Sequence, residues 1–391
     1  MYLPAYVLKA LEILKINGYE GYAVGGCVRD SLLGSAPDDY DIAVSCTPEK
    51  TKECFRDFRV IETGIRHGTV TVVIDDHNLE LTTFRLDGEY RDMRRPEGVS
   101  FTMNLAEDLS RRDFTVNAMA FSDDAGLIDL FAGKADLENS IIRCVGEPDV
   151  RFGEDALRIL RALRFSSVLG FSVEEKTAAS IIKNRDNLKK ISSERIFTEL
   201  KKLLEGKNCL SILINYRDVL ISCIPEIENI PNRDYILCAE SAALLKNALL
   251  SFASLMLPLG SEAADKICRN LKTDNSFRKS VVFLTENAKR EFSSAGEGVR
   301  FIGAYSREKT EKLCVLREAF GFDASVLKEA LKNTGAASKI SDLKINGEIL
   351  LQLGFKGKKI GEALNRLLVA VSNGEIENTE NELKKYIKKN S

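Results

Sequence analysis

Apolar positions along this chain change their period near residue 154, and that change divides it into two regimes. Short apolar or β-branched runs at 19–28, 39–45, 68–74 and 79–85, each bounded by Gly, Pro, Asp or Asn, predict strands. Asp75-Asp76-His77-Asn78 separates the last two and predicts the turn of a hairpin over 68–85. Ahead of them, Tyr6–Ile16 is apolar at helical spacing with Lys9, Glu12 and Lys15 interleaved, which predicts an amphipathic helix. From about Glu154 onward the spacing is helical and no further strand is expected. The fold class is therefore α+β: an N-terminal head with a mixed sheet and helices, then an all-helical remainder. Breaks at Gly206-Lys207-Asn208, Ile224-Pro225, Leu257-Pro258-Leu259-Gly260 and Gly335-Ala336-Ala337-Ser338 partition that remainder. No internal repeat is visible, and the lysine-rich Lys384–Lys389 reads as a solvated helix end.

Composition narrows the class. A length of 391 residues implies two or three domains, and 44% hydrophobic with 29% charged residues describes a soluble globular protein. The longest apolar stretch, around Leu249–Leu259, is too short to span a bilayer, so no membrane role is expected. No small-residue cleavage site follows Tyr6–Ile16, which reads as a mature helix rather than a signal peptide. Nine cysteines without a Cys-x-x-Cys pair fit reduced, buried thiols of a cytoplasmic protein. A net charge of −2 gives no global attraction to nucleic acid, so any RNA contact must come from local patches. One such bias exists: residues 85–164 hold eleven arginines and a single lysine, Lys134. Arginine suits planar, bidentate recognition of phosphates and base edges.

The candidate chemistry begins at Val24-Gly25-Gly26-Cys27-Val28-Arg29-Asp30-Ser31-Leu32-Leu33-Gly34, followed by Asp39-Tyr40-Asp41-Ile42. Gly25 and Gly26 let backbone N–H groups approach a phosphate, and Arg29 adds a fixed positive fork. Asp39 and Asp41, at i and i+2 of a strand, point their carboxylates to one side while Tyr40 points to the other, an arrangement for holding Mg²⁺. Either half alone also fits an ordinary turn or a solvated strand edge. Together they resemble the signature of the class II nucleotidyltransferases, the family of tRNA CCA-adding enzymes and bacterial poly(A) polymerases. Two-metal phosphoryl transfer usually gathers a third carboxylate, and Glu80, on a strand that a hairpin can bring beside Asp39 and Asp41, is the candidate. Thr63-Gly64-x-x-His67-Gly68-Thr69-Val70 resembles the CCA-adding branch of the family.

Residues 111–118, Arg-Arg-Asp-Phe-Thr-Val-Asn-Ala, match the family's second motif. There Arg112 suits triphosphate charge, and Asp113 is an acceptor suited to a ribose 2′-hydroxyl. Asp129-Leu130-Phe131-x-Gly133-x-x-Asp136-Leu137 resembles the third motif, expected to be structural. Residues 154–165 read Glu-Asp-Ala-Leu-Arg-Ile-Leu-Arg-Ala-Leu-Arg-Phe; on a helix Asp155 and Arg158 are i, i+3 neighbours, with Arg161 and Arg164 continuing the row. Cytosine and adenine both offer an exocyclic amino donor beside a ring-nitrogen acceptor. A carboxylate–guanidinium pair therefore admits CTP and ATP and is mismatched against UTP and GTP. In the resembled family, Glu-Asp-x-x-Arg is the motif that reads the incoming base without a template.

The resemblance is strongest over residues 20–165. It continues more weakly through Ile191-Ser192-Ser193-Glu194-Arg195-Ile196 and Ile345-Asn346-Gly347-Glu348-Ile349-Leu350, and near the end Gly354–Gly361 looks like the tail segment that grips tRNA. That assigns RNA binding to Lys356, Lys358 and Lys359. Lys358 stands where similar enzymes often have Pro. The resemblance implies a head (1–140), a neck reading the base (141–205), a body (206–325) and a tRNA-binding tail (326–391). It implies addition of CCA to the tRNA 3′ acceptor end from CTP and ATP, with Mg²⁺ and release of pyrophosphate, and no obligate protein partner. Glu89-Tyr90-Arg91-Asp92-Met93-Arg94-Arg95-Pro96 is consistent with the loop associated with adding all three nucleotides. A CC-adding or A-adding enzyme shares these motifs, a poly(A) polymerase lacks its typical basic segment here, and a non-catalytic RNA- or nucleotide-binding regulator has no reason to keep Asp39 and Asp41. His67 and His77 are the only histidines, so the helical part carries no His-Asp phosphohydrolase site.

Overall fold

The computed structural model describes residues 1–62, 64–65, 68–87, 99–333 and 337–390. Thr63, His67 and the Glu89–Pro96 segment lie outside the described residues. The chain forms two compact units, Met1–Ile227 and Glu228–Ser391.

A seven-stranded mixed sheet organises the first unit. Helix α1 (Ala5–Ile16) leads into β1 (Gly21–Val24), α2 (Gly26–Leu32), β2 (Asp41–Val44) and α3 (Pro48–Cys54). Then come β3 (Arg59–Ile61), β4 (Thr69–Ile74), β5 (His77–Thr83), the small pair β6 (Arg85–Asp87) and β7 (Val99–Phe101), α4 (Leu105–Ser110), β8 (Met119–Ser122) and β9 (Gly126–Asp129). The sheet order is β3-β4-β5-β2-β1-β8-β9, with β2 and β5 parallel and the other pairs antiparallel. One face buries Ile42, Val44, Leu79 and Leu81 on the side of α1, whose Leu14 reaches the sheet beside Gly21. Each such side chain removed from water contributes roughly 1.5–3 kcal/mol. On the other face Val24, Ala43 and Ala120 cluster with Phe84 and with Leu109 of α4. Asp41 and Glu80 stand on this second face, directly paired across β2 and β5.

Several sequence expectations shift. The run at 19–28 is a strand only as far as Val24; Gly25, at φ +74°, turns the chain into α2, and Cys27 and Val28 are the buried side of that helix. Asp39 precedes β2 rather than lying within it. The hairpin turn is Asp75-Asp76 alone, both at positive φ as a two-residue type I′ connection requires, and His77 already pairs with Ile74. β3, β8 and β9 are too short to show a period. After β9 come α5 (Gly133–Glu138), β10 (Ile141–Ile142), α6 (Pro148–Glu154), α7 (Leu157–Leu169), β11 (Ser172–Val173), α8 (Glu175–Asn184) and α9 (Ser193–Leu203). β11 is a strand where none was expected; two residues pairing in parallel with β10 leave no alternation to read.

The third motif is a local scaffold. Asp129 accepts from the Gly133 and Lys134 amides at 2.8 and 2.9 Å, capping α5. Asp136 accepts from Thr115 Oγ1 at 2.7 Å, which ties α5 to the octet at 111–118. Gly133 presses on the Thr115 carbonyl oxygen so closely that a β-carbon has no room. Beyond α9 the first unit continues through the helices Cys209–Asn215 and Arg217–Cys223. The second unit is helical among its described residues; Ile345, Leu350, Leu367 and Leu383 meet in the core of its C-terminal part. Replacing Gly133 with Ala is expected to cost about 1–3 kcal/mol of stability by overpacking, read as a lowered urea midpoint with unchanged m-value.

Candidate active site

β1 delivers the chain to Gly25, whose amide donates to the Met119 carbonyl at 3.3 Å. A β-carbon at Gly25 would stand 3.2 Å from Nη1 of Arg112, so the missing side chain and the positive φ are both used. A cleft of about 400 Å³ opens here. Gly25, Gly26, Arg29 and Asp41 line it from the sheet side, Arg112 and Asp113 from the octet, and Asp155, Arg158 and Arg161 from the α6–α7 junction. Asp39 and Glu80 flank Asp41 as like charges. Arg164 does not line this cleft.

Asp41 and Glu80 are both solvent-exposed and share one sheet face. The Asp41 carboxyl is raised above the usual carboxylate range, first by the protein around it and then by Glu80, with Asp39 adding to this and Arg112 opposing it. Hard oxygen donors crowded with like charge suit a divalent cation. Among the described residues no three His, Cys, Asp or Glu side chains already converge at metal-ligand spacing.

Across the cleft, the arginines are held by a hydrogen-bonded chain. Arg29 donates bidentately to Asp30 at 2.8 and 2.9 Å and through Nη1 to Asn117 Oδ1 at 2.6 Å. Asn117 Nδ2 in turn donates to Asp113 Oδ1 at 3.2 Å, an oxygen that also accepts from the Phe114 amide. Asp113 Oδ2 accepts from Nε and Nη2 of Arg161. Burial alone would raise the Asp113 carboxyl, but Arg161 and Asn117 prevail and hold it below the usual range. Four donors on one carboxylate fill its acceptor positions, so a ribose 2′-hydroxyl reaching Asp113 has to displace one of them. Arg112 and Arg111 share the buried Asp108, at 3.0 and 2.6 Å, while the buried Nε of Arg112 has no partner among the described residues.

The base-reading pair is arranged differently from expectation. Asp155 is not on the helix of Arg158; it breaks the chain between α6 and α7 with extended backbone, φ −138° and ψ 104°. Its Oδ1 caps α7 through the Leu157 amide at 3.0 Å, which an internal helical residue would not do. Its Oδ2 accepts from Arg195 Nη2 of α9 at 2.8 Å. Arg158 pairs with Glu154 at 2.6 Å and donates to the Arg111 carbonyl at 3.1 Å. Arg164 is spent on Glu199 of α9, also at 2.6 Å, and helps bind α9 to α7. Asp108 and Glu199 carry no sequence signal, whereas Asn117, Phe165 and Arg195 lie inside segments already singled out. Lys356, Lys358 and Lys359 are exposed in the second unit, where Gly357 at φ +55° starts the helix Lys358–Ser372. Among the described residues they form no salt bridge, and Asn346 caps the helix Gly347–Gln352.

An α+β sheet presenting carboxylates to an arginine-lined cleft defines a nucleotidyltransferase. The family model described as "Poly A polymerase head domain" matches residues 21–143, "Probable RNA and SrmB- binding site of polymerase A" matches 170–230, and "tRNA nucleotidyltransferase domain 2 putative" matches 245–387. A CCA-adding enzyme of Lactobacillus helveticus is 36% identical over 98% of this chain and 98% of its own length. Another, of Streptococcus agalactiae, is 37% identical over 99% of this chain and 98% of its own length. The crystal structure of the Bacillus stearothermophilus CCA-adding enzyme in complex with CTP superposes with a TM-score of 0.81 at 32% identity, covering 98% of this chain and 96% of that one. This chain belongs to the CCA-adding enzyme family.

The Asp108 carboxyl is held below the usual carboxylate range: burial would raise it, but Arg112 and Arg111 outweigh that. Its contribution to stability is therefore complete above the unfolded value of about 3.9 and is lost as the pH falls through the lower folded value. Asp108→Asn should destabilise the protein at pH 7, and the gap from wild type should close only below about pH 4 in urea titrations across pH.

Proposed function

We propose that this chain adds CCA to the 3′ end of tRNA from CTP and ATP, without a nucleic-acid template, releasing pyrophosphate. The observation that carries this reading is that one cleft joins Asp41, with Glu80 beside it, to the Asp155/Arg158 pair through a row of arginines. Asp39 and Asp41, supported by Glu80, would hold Mg²⁺. When bound there, such an ion supplies charge neutralisation at the α-phosphate and activation of the tRNA 3′-hydroxyl. Gly25 and Gly26 leave the backbone open to the triphosphate, and Arg112 lines the cleft beside Arg29 and Arg161.

Base choice rests on Asp155 and Arg158. Asp155 has given one acceptor position to Leu157 and one to Arg195, so further positions on its two oxygens can take an amino group of cytosine or adenine. Glu154 and the Arg111 carbonyl aim Arg158 as the donor to the ring nitrogen. UTP and GTP present a carbonyl to the carboxylate and an N–H to the guanidinium, leaving both protein groups mismatched. Arg164 and Asp113 then act at one remove, by fixing α9 and Arg161.

The same reading divides the chain into head (1–140), neck (141–205), body (206–325) and tail (326–391). Lys356, Lys358 and Lys359 are its contacts to the tRNA backbone, and the nine unpaired cysteines fit a reducing compartment, the cytoplasm. Asp41→Ala should lower nucleotide addition by roughly 10³-fold or more at an unchanged melting temperature. The assay supplies tRNA ending at the discriminator base, at C or at CC, offers each NTP singly and together, and sequences the 3′ ends. Products ending in CC, A alone or long A tails would replace this reading with a CC-adding, A-adding or poly(A) enzyme. Changing the three lysines to Ala should weaken tRNA binding and flatten its salt dependence by up to about three units of slope, with CTP affinity unchanged.

A further inference from the structure

A single aromatic ring is shared by two arginines of this site and a third behind it. Phe165, near the middle of α7, lines the cleft and is 7% exposed. The guanidinium carbons of Arg29, Arg161 and Arg164 lie 5.2, 5.4 and 3.8 Å from its centroid. Arg29 comes from α2, more than a hundred residues away in sequence from the other two, which belong to α7. The buried Phe114 meets the ring edge-on, centroids 5.7 Å apart and planes at 77°, which restrains its orientation. Asp30 pairs with Arg29 and Asp113 with Arg161, while Glu199 pairs with Arg164 and also lies 4.0 Å from Arg161. What the three have in common is the ring.

Guanidinium groups within about 6 Å of a ring centroid are drawn to the negative face of its π-system. That attraction gathers like charges that would otherwise spread apart, and it acts across two elements of the fold. We propose that Phe165 is a positioning residue for triphosphate recognition, its ring holding Arg29 and Arg161 as a preorganised anion-binding surface that joins α2 to α7, while Arg164, bound to Glu199 outside the cleft, packs on the same ring and holds it in place. An aliphatic side chain of similar size fills the same space without the quadrupole. The inference rests on the reading that the cleft arginines take the triphosphate.

The test compares Phe165→Leu with Phe165→Tyr, which keeps the ring. Calorimetry measures inorganic pyrophosphate binding at fixed Mg²⁺, and steady-state kinetics measure CTP addition to tRNA lacking CCA. Phe165→Leu should weaken pyrophosphate binding and raise KM for CTP about tenfold, with kcat falling by much less, because binding common to ground and transition states is lost. Phe165→Tyr should recover most of both. Wild-type pyrophosphate affinity in Phe165→Leu, whatever its melting temperature, overturns the proposal, as does an equal loss in both variants. If wild type binds no pyrophosphate, or Arg161→Ala binds it as wild type does, the triphosphate assignment of the cleft falls and takes the proposal with it.

Discussion

A cleft that collects arginines must be held together against its own repulsion before any anion arrives, and paired carboxylates do this here. Asp113 answers Arg161, Glu199 answers Arg164, Glu154 answers Arg158, Asp108 answers Arg111 and Arg112, and Asp30 answers Arg29. Most of these carboxylates are buried, where an unpaired charge would be costly, so each pair is a constraint as well as an attraction. Asn117 links two of the pairs into one path from Arg29 to Arg161. The amide can serve only one way round, its oxygen to the guanidinium and its nitrogen to the carboxylate.

The sheet sets the other wall. β2 and β5 run parallel in a register that opposes Asp41 to Glu80, and a slip of one residue would turn Glu80 to the buried face where Leu79 and Leu81 now lie. The two-residue turn at Asp75-Asp76 fixes β4 on β5, and the buried valines of β4 lock that pairing. The hydrophobic core thus determines where the carboxylates stand.

Much of this was readable from residue patterns. The mixed sheet, the hairpin, the helical remainder and nine of the cleft-lining residues follow from spacing and motif, because strand alternation and glycine punctuation are local effects. The errors were local too. The helix expected through Glu154–Phe165 is cut at Asp155, since a carboxylate that caps the next helix competes with continuing the present one. The short strands β3, β8, β9 and β11 escaped notice because so few residues leave no alternation to read, and pairing with neighbouring strands decides them.

Residue type and spacing alone establish the chemical inventory: a phosphate-accommodating glycine pair, strand-borne carboxylates, a row of arginines and one acidic residue set before them. Which of those groups face each other is a matter of long-range pairing. Arg195 is drawn to Asp155 across forty residues, Glu199 is a buried anchor with no motif to mark it, and Arg29 and Arg161 meet over Phe165 only once α2 and α7 have packed. Hydrogen bonds and ion pairs depend on distances of a few ångströms, and the packed core alone sets those.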